Sequence, residues 1–243
     1  MPWDDSCASN ILYEYFGYNN GVIFCNSALG SAFLDIVGGS GAPSFVYSKP
    51  YWQTGIVGIP NDGKRDLPDI SLFASNAFWN HAIIFCMSDP NQGGSPCNYS
   101  VPFDVLNNSA GGTSFTAPQF ASIQALINQK AGGPQGNPNP IYYDLARAEY
   151  GSPSKPNTAN LASCNATEGN GVSSSCIFHD VTAGNNDVPC YGPVDCYGFT
   201  GSTYGVLSTS DTSLKVAYPA HTGWDFATGL GSVNVANLVD MWP

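Results

Sequence analysis

Eight cysteines, at positions 7, 25, 86, 97, 164, 176, 190 and 196, limit what this 243-residue chain can fold into more than any other feature. An even number permits full pairing. Their order suggests four local loops, Cys7 with Cys25, Cys86 with Cys97, Cys164 with Cys176, and Cys190 with Cys196, among the roughly 105 pairings that eight cysteines allow. Zinc ligation is the competing reading, but no Cys-x-x-Cys pair occurs, and the histidines His81, His179 and His221 are not spaced as partners. Disulfides imply an oxidising compartment and a secreted protein. The start, Met1-Pro2-Trp3-Asp4-Asp5, has neither the basic segment nor the apolar run of a signal peptide, so secretion would depend on a signal outside these residues. No stretch approaches the roughly 18 apolar residues of a membrane span. A formal charge of −11 with only 7 Lys and Arg excludes nucleic acid as a partner, because phosphate neutralisation needs clustered cations.

The stretch Gly111-Gly112-Thr113-Ser114-Phe115-Thr116-Ala117-Pro118 runs directly into an apolar-periodic segment, Gln119 to Lys130. Two glycines allow a tight turn, and the unpaired N–H groups of the first helical turn then point toward whatever Ser114 attacks. Those donors and the positive end of the helix dipole suit a developing oxyanion. The plainer reading is that Thr113 or Ser114 caps a helix, and the local sequence leaves both open.

The same octapeptide resembles the serine signature shared by subtilisins and the sedolisin (S53) serine-carboxyl peptidases. A subtilisin-type site needs a histidine base from a His-Gly-Thr-His turn, and none of the three histidines here precedes glycine. Sedolisins are the better match, and two further segments extend the resemblance over nearly the whole chain. One is Lys49-Pro50-Tyr51-Trp52-Gln53 followed by Asn61 through Ser71, which resembles the family's approach to the strand before the serine. The other pairs Phe178 through Asn185 with Thr222-Gly223-Trp224-Asp225-Phe226-Ala227-Thr228-Gly229-Leu230-Gly231, which resembles the family's split calcium site. The implied calcium ligands are the carboxylates of Asp180 and Asp225 and the carbonyls of Val181, His221 and Gly223, an all-oxygen set suited to a hard cation. Either segment alone reads as an Asp-containing turn; both in order favour the metal.

The resemblance also shows what is missing. Sedolisins activate the serine with a glutamate bonded to an aspartate one helical turn later, and take an oxyanion aspartate from a Ser-Gly-Asp turn. The glutamates here are Glu14, Glu149 and Glu168, and none stands four residues before an aspartate. Asp4 and Asp5 do not lie in such a turn. The expectation is the C-terminal portion of a sedolisin catalytic domain spanning residues 1–243, with Met1 an internal residue of a longer protein. Such a portion would be inactive alone, because Ser114 without a base remains a weak alcohol. The implied activity is acid-acting serine endopeptidase action on protein or peptide substrates, completed by the absent N-terminal part. Charged residues make up 10% of the chain against about 25% in ordinary domains. Few carboxylates that must stay ionised fits an acidic environment, though a loop-heavy secreted protein has the same composition.

The implied fold class is α/β, a subtilisin-like parallel sheet with flanking helices. Asp69 to Ala74 and Ala82 to Cys86 are apolar enough for buried parallel strands. Helices are expected around Asn10 to Tyr15, after Ser114 with Phe120, Ile123, Leu126 and Ile127 on one face, from Pro140 to Glu149, and from Val233 to Leu238. Residues 152–220, rich in Ser, Gly, Asn, Pro and Thr, read as a loop-rich insertion pinned by two disulfides. A different class, a non-catalytic secreted module binding carbohydrate or protein, would use Trp3, Trp52, Trp79, Trp224 and the tyrosines as an exposed aromatic face, although core packing is the commoner fate of such residues.

Overall fold

The computed structural model describes residues 1–75 and 81–243, with all their side chains other than those of Glu168 and Asn170. Trp79 lies outside the described residues. Seven α-helices run in order along them: α1 (Asn10–Tyr15), α2 (Gly21–Cys25), α3 (Pro102–Asn107), α4 (Thr113–Lys130), α5 (Asn139–Tyr150), α6 (Thr158–Ser163) and α7 (Val235–Met241). The chain separates into two compact units, Met1–Leu72 with Ile123–Pro243, and Phe73–Ser122. The range 152–220 falls wholly within the first.

Every strand ladder among the described residues is antiparallel. Ala42–Ser48 pairs with Lys64–Leu67, and Ile83–Ile84 with Ser109–Ala110. Phe178–His179 pairs with Ser232–Val233, and Gly205–Leu207 lies between Pro189–Cys190 and Cys196–Tyr197. The expected parallel sheet is therefore not formed by these residues. Asp69 to Ala74 contains no strand; its backbone instead takes single bonds, Leu230 N to Asp69 O at 2.8 Å and Ser71 N to Gly231 O at 3.0 Å. Of Ala82 to Cys86, Ile83 and Ile84 form a short antiparallel ladder. An apolar run signals burial without signalling direction, and a parallel ladder needs a crossover that returns a second strand to the same sheet.

The first unit has a polar core as well as an apolar one. Trp224, Tyr143, Tyr150, Phe178, Leu230 and Leu238 are fully buried, and so are Gln53 and Asp66. Gln53 binds Asp66 twice, donating from Nε2 to its carbonyl at 2.7 Å and accepting its N–H at 2.9 Å, and it also donates to Tyr143 Oη at 3.0 Å. Tyr143 in turn donates to Asp69 Oδ1 at 2.9 Å, while Lys49 pairs with Asp66 and Arg65 with Asp69. The segment from Lys49 to Asp69 thus fastens the long hairpin to α5. Between Pro43 and Ser48 the hairpin register slips, and Phe45, Val46 and Tyr47 project into solvent.

The structure contains the four disulfides Cys7–Cys25, Cys86–Cys97, Cys164–Cys176 and Cys190–Cys196, the pairs that sequence order suggested. Cys7–Cys25 closes the widest loop, a separation of 18, for which chain entropy predicts about 3 kcal/mol of stabilisation. Its loop encloses α1 and α2 and closes on the last residue of α2, a five-residue helix capped by Asn20, whose side chain accepts the Ile23 N–H at 2.9 Å.

The N-terminal arm carries a buried acidic pair. Asp4 Oδ1 accepts the Ser6 N–H at 2.9 Å, and Ser6 Oγ donates to the Asp187 carbonyl at 3.0 Å, so Ser6 joins the two residues. Asp4 is 6% exposed and Asp187 1%, and Asp4 Oδ2 and Asp187 Oδ1 have no partner among the described residues. Burial pushes the Asp187 carboxyl up to about 8 against the pull of the Val188 N–H. Burial raises Asp4 well above its ordinary value, with the charges of Asp187 and Asp5 adding to it. The other titratable groups facing the pair are Tyr13 and Tyr218, and neither is cationic. The folded state therefore holds protons that the unfolded chain releases near pH 4. This contribution to stability is full below about pH 4 and is lost as pH rises toward 8. Thermal melts from pH 4 to 9 should show the melting temperature of the parent chain falling with pH more steeply than that of Asp187→Asn, and parallel curves for the two proteins would refute this.

Candidate functional site

The serine turn lies in the unit Phe73–Ser122. Gly112 adopts φ +122°, a conformation open to glycine but strained for other residues, and its N–H donates to Ala74 O at 2.7 Å. The helix begins at the next residue. Phe115 N returns to Gly112 O at 3.0 Å and Thr116 Oγ1 donates to Thr113 O at 2.6 Å, closing the first turn on itself. Ser114 is exposed in that turn. Among the described residues the N–H groups of Thr113 and Ser114 donate to nothing, and nothing bonds Ser114 Oγ. Pro118 sits inside the helix, where its missing N–H leaves the Ser114 carbonyl without its usual helical donor. Phe115 anchors the turn against Phe85, their ring centroids 6.1 Å apart. Further along, Ile123 and Ile127 are buried as expected, but Leu126 is 49% exposed, so the apolar face is narrower than the spacing implied.

Asp180 and Asp225 occupy the other unit, both fully buried. Asp180 is set in place by its backbone: Asp180 N donates to Cys164 O at 2.8 Å and Ala166 N to Asp180 O at 2.7 Å, next to the Cys164–Cys176 bridge. Asp225 Oδ1 accepts from Ala227 N at 2.9 Å, Thr228 N at 2.7 Å and Thr228 Oγ1 at 3.1 Å, while Oδ2 accepts from His221 N at 3.0 Å. Gly223 N donates across to Asp180 Oδ2 at 2.9 Å, which brings the two carboxylates to one loop. Gly223 itself has φ +81°, and a Cβ there would lie 2.4 Å from the Val57 carbonyl. Asp180 Oδ1 is buried without a partner. Among the described residues no N–H takes the carbonyls of Val181, His221 or Gly223.

Burial pushes the Asp180 carboxyl up to about 7; the Gly223 and Val181 N–H groups oppose that shift, and the Asp225 charge adds to it. Burial raises Asp225 too, against the donors of His221 and Thr228. Two buried carboxyls with a vacant oxygen call for a counter-charge. A calcium ion fits this donor set, which is oxygen throughout and has its open lone pair on Asp180 Oδ1. Among the described residues no cluster of three or more His, Cys, Asp or Glu offers a metal site, so such an ion would rest on two carboxylates and backbone oxygens. Thr228 was not singled out from the sequence, yet it holds Asp225 twice; its hydroxyl three residues after an aspartate was the available signal.

Of the two described glutamate side chains, Glu149 is committed to the backbone. Glu149 is 7% exposed, and its two oxygens accept the N–H groups of Ile177 at 2.6 Å and Phe178 at 2.8 Å, a structural clamp from α5. Burial raises its carboxyl pKa, and those two donors pull it back. Glu14 is exposed on α1. Of the tryptophans offered for an exposed aromatic face, Trp52 and Trp224 are buried and Trp3 is half-buried with its Nε1 donating to Asp5 at 2.9 Å, whereas Tyr47, Tyr51 and Tyr191 are exposed.

No protein-family model matches the chain. It is 30% identical to kumamolisin from Bacillus sp. (strain MN-32) over 202 residues, covering 80% of this chain and 24% of that protein. It is 27% identical to sedolisin from Pseudomonas sp. (strain 101) over 198 residues, 82% of this chain and 22% of that one. The chain thus spans about a quarter of the length of the curated relatives it matches. A solved structure, Pseudomonas sedolisin (serine-carboxyl proteinase) complexed with two molecules of pseudo-iodotyrostatin, aligns with 84% of this chain and 36% of its own, at 24% identity and a TM-score of 0.45.

Glu149→Ala leaves two buried N–H groups unpaired, at a cost of about 3 kcal/mol, which lowers the melting temperature by roughly 6–12 °C in a chain of this size. Glu149→Gln keeps one acceptor and should lose less. Equal melting temperatures for parent and Ala variant would show that the clamp contributes nothing.

Proposed function

Because the chain is related to the sedolisin (S53) family over most of its length, we propose that it forms the C-terminal part of the catalytic domain of an acid-acting serine-carboxyl endopeptidase, cleaving protein or peptide chains. The observation that carries this reading is the Ser114 turn, an exposed hydroxyl in the first turn of α4 beside two N–H groups without partners. In this reading Ser114 Oγ attacks the scissile carbonyl, the amine leaves, and water hydrolyses the resulting ester. In the same reading the free N–H groups of Thr113 and Ser114 help to hold the developing oxyanion.

The proton acceptor has to come from elsewhere. A Glu and Asp pair and an oxyanion aspartate would be supplied by polypeptide outside these residues, since Glu149 is committed to the Ile177 and Phe178 N–H groups. A carboxylate base operates in acid, where a histidine would already be protonated. Asp180, Asp225 and the carbonyls of Val181, His221 and Gly223 would hold a calcium ion, which supplies the counter-charge to two buried carboxylates and has no part in bond cleavage. Four disulfides, with no helix long and apolar enough to cross a membrane among the described residues, fit an extracellular setting.

Two measurements test this. A polypeptide that joins these residues to an upstream segment bearing the acid pair should hydrolyse peptides below about pH 5, and Ser114→Ala should lower kcat by at least about 10⁴-fold; an undiminished rate in the variant would remove Ser114 from the chemistry. Calcium at about 100 times its Kd should add about 2.7 kcal/mol of stability, a rise in melting temperature of roughly 5–11 °C. The rise should vanish in Asp180→Ala, and a melting curve indifferent to calcium would eliminate the ion.

A further inference from the structure

Three Asn-x-Ser/Thr tripeptides occur, at Asn98-Tyr99-Ser100, Asn107-Asn108-Ser109 and Asn165-Ala166-Thr167. Such tripeptides accept N-linked sugar on surface loops of secreted proteins, and the structure separates the three sharply. Asn98 is exposed, together with Tyr99 and Ser100, one residue beyond the Cys86–Cys97 bridge. Its Oδ1 accepts the Ser100 N–H at 3.1 Å and its carbonyl accepts the Val101 N–H at 2.9 Å, so the acceptor opens a turn held by bonds within four residues. Among the described residues Asn98 Nδ2 has no partner, and neither has the Ser100 hydroxyl.

Asn165 is the opposite case. Its Nδ2 donates to Thr182 Oγ1 at 2.9 Å, and the same hydroxyl donates to its Oδ1 at 3.2 Å. A single oxygen touching both amide atoms lies on the edge of the amide that carries the carbonyl oxygen. An N-linked sugar turns the side chain into a secondary amide, whose substituent sits on that same edge, cis to the oxygen, as Cα does in a trans peptide. The sugar would occupy the place of Thr182. The tripeptide hydroxyl is engaged as well, since Thr167 Oγ1 accepts the Thr182 N–H at 2.9 Å. At the third tripeptide Asn107 is exposed. Its neighbour Asn108 is 1% exposed, with Nδ2 bonded to the Pro96 and Asp104 carbonyls, and Ser109 Oγ already donates to Leu106 O at 2.8 Å.

We propose that Asn98 is an N-glycosylation site of the secreted protein and that Asn165 is excluded from modification in the folded chain. In the transfer, Asn98 Nδ2 attacks the anomeric carbon of an oligosaccharide carried on a polyprenyl pyrophosphate. The new N–C bond replaces the C–O bond to pyrophosphate, the polyprenyl pyrophosphate departs, and one amide proton passes to a base of the transferase. The inference rests on the extracellular setting proposed above and not on the peptidase chemistry.

The full chain, secreted from eukaryotic cells behind a secretion leader, should run as a glycoform on gels and collapse to the unmodified mobility in Asn98→Gln with an unchanged melting temperature. Enzymatic sugar release in heavy-oxygen water should leave labelled Asp at position 98 and unlabelled Asn at 165. Cell-free translation with microsomes reads transfer to Asn98 without requiring secretion. An unmodified Asn98 in the microsomes, or labelled Asp at position 165 in folded, secreted protein, would overturn the proposal.

Discussion

Asp225 accepts four hydrogen bonds from a segment of eight residues, and the late part of the chain is organised around that carboxylate. His221, Ala227 and Thr228 turn their N–H groups inward to reach it. Their convergence bends the loop so that Gly223 N meets Asp180 and Trp224 N meets Val57 O. The same loop continues to Leu230 and Gly231, which bind Asp69 and Ser71. Losing the carboxylate would therefore release segments that lie far apart in sequence. Its position is costly for an isolated anion, because it is fully buried beside a second buried carboxylate and its hydrogen bonds come from backbone and hydroxyl donors, with the charge of His221 a partial counterweight. That electrostatic cost makes the region sensitive to whatever cation or proton balances it.

This arrangement follows from the composition. With 18 acidic and 7 basic side chains, most carboxylates cannot find an ionic partner. The ion pairs among the described residues involve Lys49, Arg65 and Arg147. The remaining acids turn to the backbone: Asp4 to Ser6, Asp89 to Asn91, Asp211 to Asp195 and Glu149 to two successive residues. A carboxylate that accepts an N–H at the surface orders a turn cheaply. One that does so in the interior, as Asp187 or Asp180 does, ties stability to its charge state.

How far the fold could be read from residues alone depended on how local each signal was. α1 matches Asn10 to Tyr15, and α5 extends the expected Pro140 to Glu149 by one residue at each end, because apolar spacing and proline placement act within a few turns. α7 begins two residues later than expected, since Asn234 caps it by accepting the Asn237 N–H. α2 is not legible in the sequence, because five residues beginning at glycine carry too little periodicity. The strands were misread because strand direction is a property of partners, which apolar runs at 69–74 and 82–86 do not specify. The clamp made by Glu149 was invisible for the same reason, as its two acceptors lie 28 and 29 residues away.

The serine turn could be read locally because it is built locally. The bonds that set it join Gly112 to Ala74 and the helix start to itself, and its geometry needs a glycine at φ +122° with a helix following at once. Nothing in that construction requires a base, so a turn of this kind can present an exposed hydroxyl whatever stands beside it. Placement and activation are separable demands: the first is met by a turn and a helix end, the second by a group whose pKa lets it take a proton. The described residues of Phe73–Ser122 form such a turn and helix start around Ser114. The tripeptide at Asn98 stands in this unit too, on an exposed turn of equally local origin. Features that depend on a few neighbouring residues therefore form here on their own terms, while the buried acids Asp180, Asp187 and Asp225 depend on the whole fold and on its solvent.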